Sequence, residues 1–151
     1  MTIWIDADAC PKPCKEILFR AAERAKVDTI LVANMRMYVP SSSFIKIVQV
    51  EHGPDVADAY IVEHCAPGDL VVTADIPLAA RVVREKKALA LDPRGKLYDA
   101  ESVGAALNMR DFMDSLRGSG IETGGAAAFS ASDKQEFANA LDRFLTRAAR
   151  G

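Results

Sequence analysis

Short, almost wholly apolar runs alternate along this chain with segments whose apolar residues recur every three or four positions. Thr2–Ile5, Thr29–Ala33, Ile45–Val50, Leu70–Thr73 and Ala88–Leu91 are the apolar runs. Lacking polar alternation, they read as strands buried on both faces. Lys15–Lys26 places Ile17, Leu18, Ala21, Ala22 and Ala25 on one helical stripe. A second helix is predicted to open at Gly53-Pro54, with proline at its natural first position, and to stop near Cys65. A third starts at Pro77 and carries Leu78, Ala79, Val82 and Val83.

Strands alternating with helices predict a mostly parallel sheet of about five strands covered on both sides. Beyond Leu97, Ala100–Leu116 reads as helix and Gly118–Ser130 as a Gly/Ala loop. Ser132 with Gln135 matches a capping box for a last helix, whose apolar face is Phe137, Leu141, Phe144 and Leu145. The expectation is one α/β domain over residues 1–151, a three-layer α/β/α sandwich with its C-terminal helices packed on the same core.

Composition agrees with a globular domain. Of 151 residues, 50% are hydrophobic and 26% charged, which excludes a disordered tail, a coiled coil and a collagen. No apolar run approaches the ~20 residues a membrane span needs. Asp6 interrupts the apolar core a signal peptide requires, and an odd cysteine count (Cys10, Cys14, Cys65) suits a reducing cytoplasm. A net charge of -2 argues against coating nucleic acid by bulk electrostatics, but not against touching phosphates through a cation.

The placement of the acids is more informative than their number. Asp6 with Asp8, then Asp75, then Asp92 each follow an apolar strand. Carboxyl ends of parallel strands share one edge of a sheet, where ligands bind. Asp55 and Asp58, three apart, would add carboxylates from one helical face. Crowded carboxylates repel one another, and a hard divalent cation such as Mg²⁺ or Mn²⁺ removes the conflict. Blander roles compete: Asp92 before Pro93 suits a turn, and Asp55 suits a helix's first turn. Asn34, which ends the second strand, either lines the edge or bonds its own backbone. Cys10 and Cys14 lack metal-site spacing and read as packing residues. His52 and His64 stand isolated.

The combination of Trp4-Ile5-Asp6-Ala7-Asp8-Ala9-Cys10-Pro11, Leu31-Val32-Ala33-Asn34, Gly53-Pro54-Asp55-Val56-Ala57-Asp58 and Val72-Thr73-Ala74-Asp75-Ile76-Pro77-Leu78-Ala79 resembles the YaiI/YqxD family of small bacterial proteins. Phe137–Asp142 adds to the likeness, which covers nearly the whole chain; Pro13-Cys14 and the proline-free Gly124–Ala128 stretch depart from it. That family is grouped with PIN-like domains, metal-dependent nucleases with a parallel sheet and an acidic pocket. The resemblance implies that Asp6, Asp58 (or Asp55) and Asp75 match the PIN acids, that Asp92 sits where a fourth acid often follows, and that Asp8 belongs to the family's own motif.

The leading expectation is therefore a Mg²⁺/Mn²⁺-dependent nuclease acting on RNA, the choice of RNA resting on the resemblance alone. Asp6 and Asp75 would be catalytic, and Asp6, Asp8, Asp58 and Asp75 would hold metal. Thr73 and Asn34 would meet substrate, with Arg36 and Arg81, and further Lys46, Arg84 and Arg94, as phosphate contacts. An aspartate-based phosphohydrolase is the alternative, since a strand followed by Asp-x-Asp also describes that chemistry. A non-catalytic module binding a cation or a partner is the third.

Overall fold

The computed structural model describes residues 1–122 and 128–150. Its strands are β1 (Thr2–Asp6), β2 (Asp28–Ala33), β3 (Ile45–Gln49), β4 (Leu70–Val72), β5 (Leu89–Leu91) and β6 (Leu97–Tyr98). Its helices are α1 (Lys12–Ala25), α2 (Val56–His64), α3 (Ile76–Lys86), α4 (Val103–Gly118) and α5 (Ala131–Arg150). The strands form one sheet in the order β3-β2-β1-β4-β5-β6, parallel except for the β5–β6 pair.

Side chains alternate strictly across this sheet, as extended chain requires. Ile3, Ile5, Leu31, Ala33, Leu70, Val72 and Leu91 face a core built with α1 and α5. Trp4, Val32, Val71 and Ala90 face a second core built with α2, α3 and Val103 of α4. The α/β/α sandwich follows from the chain path. It steps from β1 outward to β3, then returns to β4 on the other side of β1. Reversing direction under right-handed crossovers moves the helices to the opposite face.

The sheet has a sixth strand that the pattern did not predict. The turn at Asp92–Gly95 brings Leu97–Tyr98 back antiparallel to β5. Two residues are too few to show a period, so only the tertiary pairing reveals them. The second helix also starts later than expected. Pro54 and Asp55 form a turn, and Asp55 is the N-cap, in left-handed backbone at φ 65°. Asp55 thus lies outside the helix and does not share its face with Asp58. The last helix is capped two residues earlier than predicted. Ser130 Oγ accepts from Asp133 N–H (3.1 Å) and Asp133 Oδ2 from Ser130 N–H (3.0 Å), so Ser130 and Asp133 close the box instead of Ser132 and Gln135. Of the expected Gly/Ala loop, residues 123–127 lie outside the described residues.

Two contacts hold the layers together. Buried Asp69, just before β4, accepts hydrogen bonds from Thr2 N–H (2.9 Å), Trp4 Nε1–H (3.0 Å) and Ala66 N–H (2.9 Å). It ties β1, β4 and the end of α2 at the edge of the sheet opposite the strand-end acids. Gly95, at φ 96°, lies so close to α5 that a Cβ there would stand 2.6 Å from the Glu136 carbonyl carbon. Gly95→Ala is therefore expected to destabilise the fold by ~2 kcal/mol or more. That would lower Tm by about 4–8 °C in a domain of this size. Asp69→Ala leaves its donors without a partner and should cost at least ~2 kcal/mol by denaturant titration.

Candidate functional site

β1 and β4 are neighbours in the sheet, yet their chains continue toward opposite edges. This is the switch point at which open α/β sheets form a crevice beyond the strand carboxyl ends. Asp6 ends β1 there. Parity places its side chain on the Trp4 face, toward α2 and α3, and Thr73 follows Val71 onto the same face. The Thr73 hydroxyl donates to Asp6 Oδ2 at 2.9 Å and accepts from Asp75 N–H at 3.0 Å. Asp75 in turn caps α3, its Oδ1 accepting from Leu78 N–H at 3.1 Å. Pro77 in the first turn has no N–H to satisfy, so the cap meets the next available donor. One buried hydroxyl thus sets two acids, one ending β1 and one capping α3.

Asp58 completes this group from the first turn of α2, across the crevice. Its carboxyl is pushed up to about 6 by burial and by the charges of Asp75 and Asp6. Burial also raises the Asp6 carboxyl. Thr73 opposes that rise, and the charges of Asp75 and Asp8 add to it. Among the described residues, no Lys, Arg or His ion-pairs with Asp6, Asp8, Asp58 or Asp75. The carboxylates do not close into a cage in this conformation. Among the described residues, no three His, Cys, Asp or Glu side chains stand together as a metal-ligand group.

The other expected site residues divide. Asp8 lies in a single 3₁₀ turn, Ala7–Ala9, and its Oδ2 accepts from the Asn34 backbone N–H at 2.7 Å. It anchors the loop after β2, and it is near enough for its charge to reach Asp6. Asn34 meets the site through that backbone N–H. Thr73 is 3% exposed and its hydroxyl is engaged on both sides, so it positions the acids and is not placed to meet substrate. Asp55 is exposed, but its charge reaches Asp58. Arg36 is exposed on the loop that Asp8 anchors. Arg81 is exposed on α3 and pairs with Glu85 at 3.4 Å.

Asp92 belongs to a different neighbourhood. Its Oδ1 accepts from Arg94 N–H at 2.6 Å, and its backbone closes the β5–β6 turn. Its raised pKa comes from burial, and the acid whose charge reaches it is Asp133 of α5, not Asp6 or Asp75. Arg94 bonds Asp133 at 2.8 Å, so this turn fastens α5 to the sheet. Cys10 and Cys14 are buried, with Cys14 Sγ 3.5 Å from the Pro93 carbonyl oxygen, and both line the α1/α5 core. His64 stacks on Tyr60 with ring centroids 4.0 Å apart, remote in role from the acids.

Comparison with known proteins agrees with the sequence motifs. The profile of the uncharacterised YaiI/YqxD family matches residues 4–147, and the chain belongs to that family. It is 58% identical to a UPF0178 protein of Shewanella piezotolerans over 147 residues, covering 97% of this chain and 96% of that one. It is 59% identical to a UPF0178 protein of Hydrogenovibrio crunogenus, covering 99% of each chain. No solved structure matches the chain. Among the described residues no helix is long and apolar enough to cross a membrane.

The crowded acids make stability depend on pH. The Asp58 carboxyl lies at about 6 in the fold against an ordinary value of 3.8, so the folded chain holds more protons than the unfolded chain between these values. Stability without metal should therefore fall as pH rises from about 4 to 6 and stay low above that range. Thermal melts in EDTA should show this decline, and Asp58→Asn should flatten it.

Proposed function

We propose that the switch-point acids bind a divalent cation, Mg²⁺ or Mn²⁺, and that the protein hydrolyses phosphodiester bonds, with RNA as substrate. One observation carries this reading: Asp6, Asp58 and Asp75, from three separate elements, lie near enough for their charges to act on one another, and among the described residues no basic side chain pairs with them. An all-carboxylate donor set suits a hard cation. Asp6, Asp75 and Asp58 would hold it, with Asp8 and Asp55 adding negative charge at the rim. The cation would supply activation of water and charge stabilisation at the leaving oxygen.

The chain's own residues would do the rest. Thr73 fixes the Asp6 carboxylate and the start of α3, so both ligands are oriented before a cation arrives. Asp58, whose carboxyl is raised to about 6, would have to be ionised to hold a cation, which would couple binding to pH. Arg36, exposed near the crevice, would meet a phosphate of the strand. Among the described residues no histidine or lysine pairs with these acids, so activity should require the cation absolutely.

Two measurements test this. Mn²⁺ should raise Tm, because it binds the folded chain alone. Asp6→Asn should remove most of that rise while leaving the metal-free protein as stable or more so, since it relieves repulsion. An unchanged Mn²⁺ response in Asp6→Asn counts against Asp6 as a ligand. Single-stranded RNA should be cleaved with Mn²⁺ or Mg²⁺, and EDTA should abolish cleavage. Asp75→Asn should reduce the rate by at least ~100-fold with the fold intact, a loss typical of removing a main electrostatic stabiliser. Turnover of a phosphomonoester with RNA and DNA untouched would favour the phosphohydrolase. Metal binding with no turnover of either would favour a binding module.

A further inference from the structure

The loop after β2 carries a side chain that the fold does not use. Tyr38 is 81% exposed, more than any other large hydrophobic residue among those described. Its neighbours explain the direction. Met37 and Val39 pack into the α1/α5 core, and Lys15 Nζ approaches Met37 Sδ at 3.6 Å. With residues 37 and 39 held inward, the residue between them is turned to solvent, and Arg36 and Met35 are exposed beside it. The loop is also tied to the crevice, since Asp8 grips its first N–H at 2.7 Å. An aromatic ring and a guanidinium thus stand on the short segment that begins at the Asn34 N–H held by Asp8. The acids themselves repel a polyanion, so a strand needs a hold beyond them.

We infer that Tyr38 is a stacking site for a base of single-stranded nucleic acid, with Arg36 holding the adjoining phosphate. Every base offers a π-face, so such a platform accepts any sequence, whereas a duplex keeps its bases stacked inside and cannot use it. The site would select single strands over duplexes and set where along a strand the crevice acts. It rests on the nuclease reading for its role in catalysis, but the contact itself is testable without turnover.

The test uses the full chain carrying Asp75→Asn, with Mg²⁺ present, and fluorescence anisotropy of a labelled oligouridylate. Tyr38→Ala should weaken binding about tenfold, in line with the loss of one base–aromatic stack. Tyr38→Phe, which keeps the ring, should stay within about twofold. An abasic strand of equal length, with the charge but not the bases, should bind the parent no better than the base-bearing strand binds Tyr38→Ala. Because Tyr38 is exposed, Tm should not move. Equal affinities for parent and Tyr38→Ala overturn the inference, and leave a protein contact as the use of the loop. It is also overturned by no binding of single strands, by equal binding of duplex, or by undiminished binding of the abasic strand. Failure of the nuclease reading shows separately, as absence of cleavage by the chain with Asp75 intact.

Discussion

The crevice depends on β1 lying directly beside β4. The two strands are hydrogen-bonded in parallel register, Ile3 with Leu70 through Ile5 with Val72, although more than sixty residues separate them in the chain. That register brings Thr73 level with Asp6, and the hydroxyl–carboxylate bond of 2.9 Å is its direct outcome. A slip of one residue would turn Thr73 to the α1/α5 face and leave the Asp6 carboxylate buried without a donor. At the other end of the same strands, Asp69 takes the Trp4 indole and the Thr2 N–H. Register is thus pinned at both ends of the pair by polar contacts that a shifted alignment cannot make.

Stability and site are in tension. Asp69 accepts from three N–H groups and stabilises its end of the sheet, while Asp6, Asp58 and Asp75 gather charge without cationic partners. The same residue type plays opposite parts because donors surround one and acceptors face the others. Such local conflict, set in an otherwise satisfied structure, is the usual mark of a functional edge. Among the described residues, no buried side-chain N or O lacks a partner, which makes the unneutralised acids stand out further.

Loops around the crevice carry specific work. Asp8 gives an oxygen to the Asn34 N–H, where the segment with Arg36 and Tyr38 begins. Asp92 and Arg94 act away from the crevice, where the close approach of Gly95 and the Arg94–Asp133 pair seat α5 on the sheet. Acids after successive strands therefore serve two structures: the switch-point crevice at β1 and β4, and a helix-docking turn at β5.

The sequence by itself determined the layered α/β architecture, because apolar runs and three-to-four-residue spacing are local signals of burial on both faces. It also determined that Asp6 and Asp75 would lie at or just beyond strand ends, since each follows such a run closely. Tertiary structure alone decided which acids meet. Asp58 joins them because α2 packs on the second face, and Asp55 stays off its helical face because its left-handed backbone keeps it just ahead of the first turn. Asp92 diverges because the β5–β6 turn gives its carboxylate a backbone donor and brings Asp133 near. β6, two residues long, has no pattern to read. Thr73 was legible as a site residue but not in its role: a hydroxyl set between two acids shows only once packing has buried it.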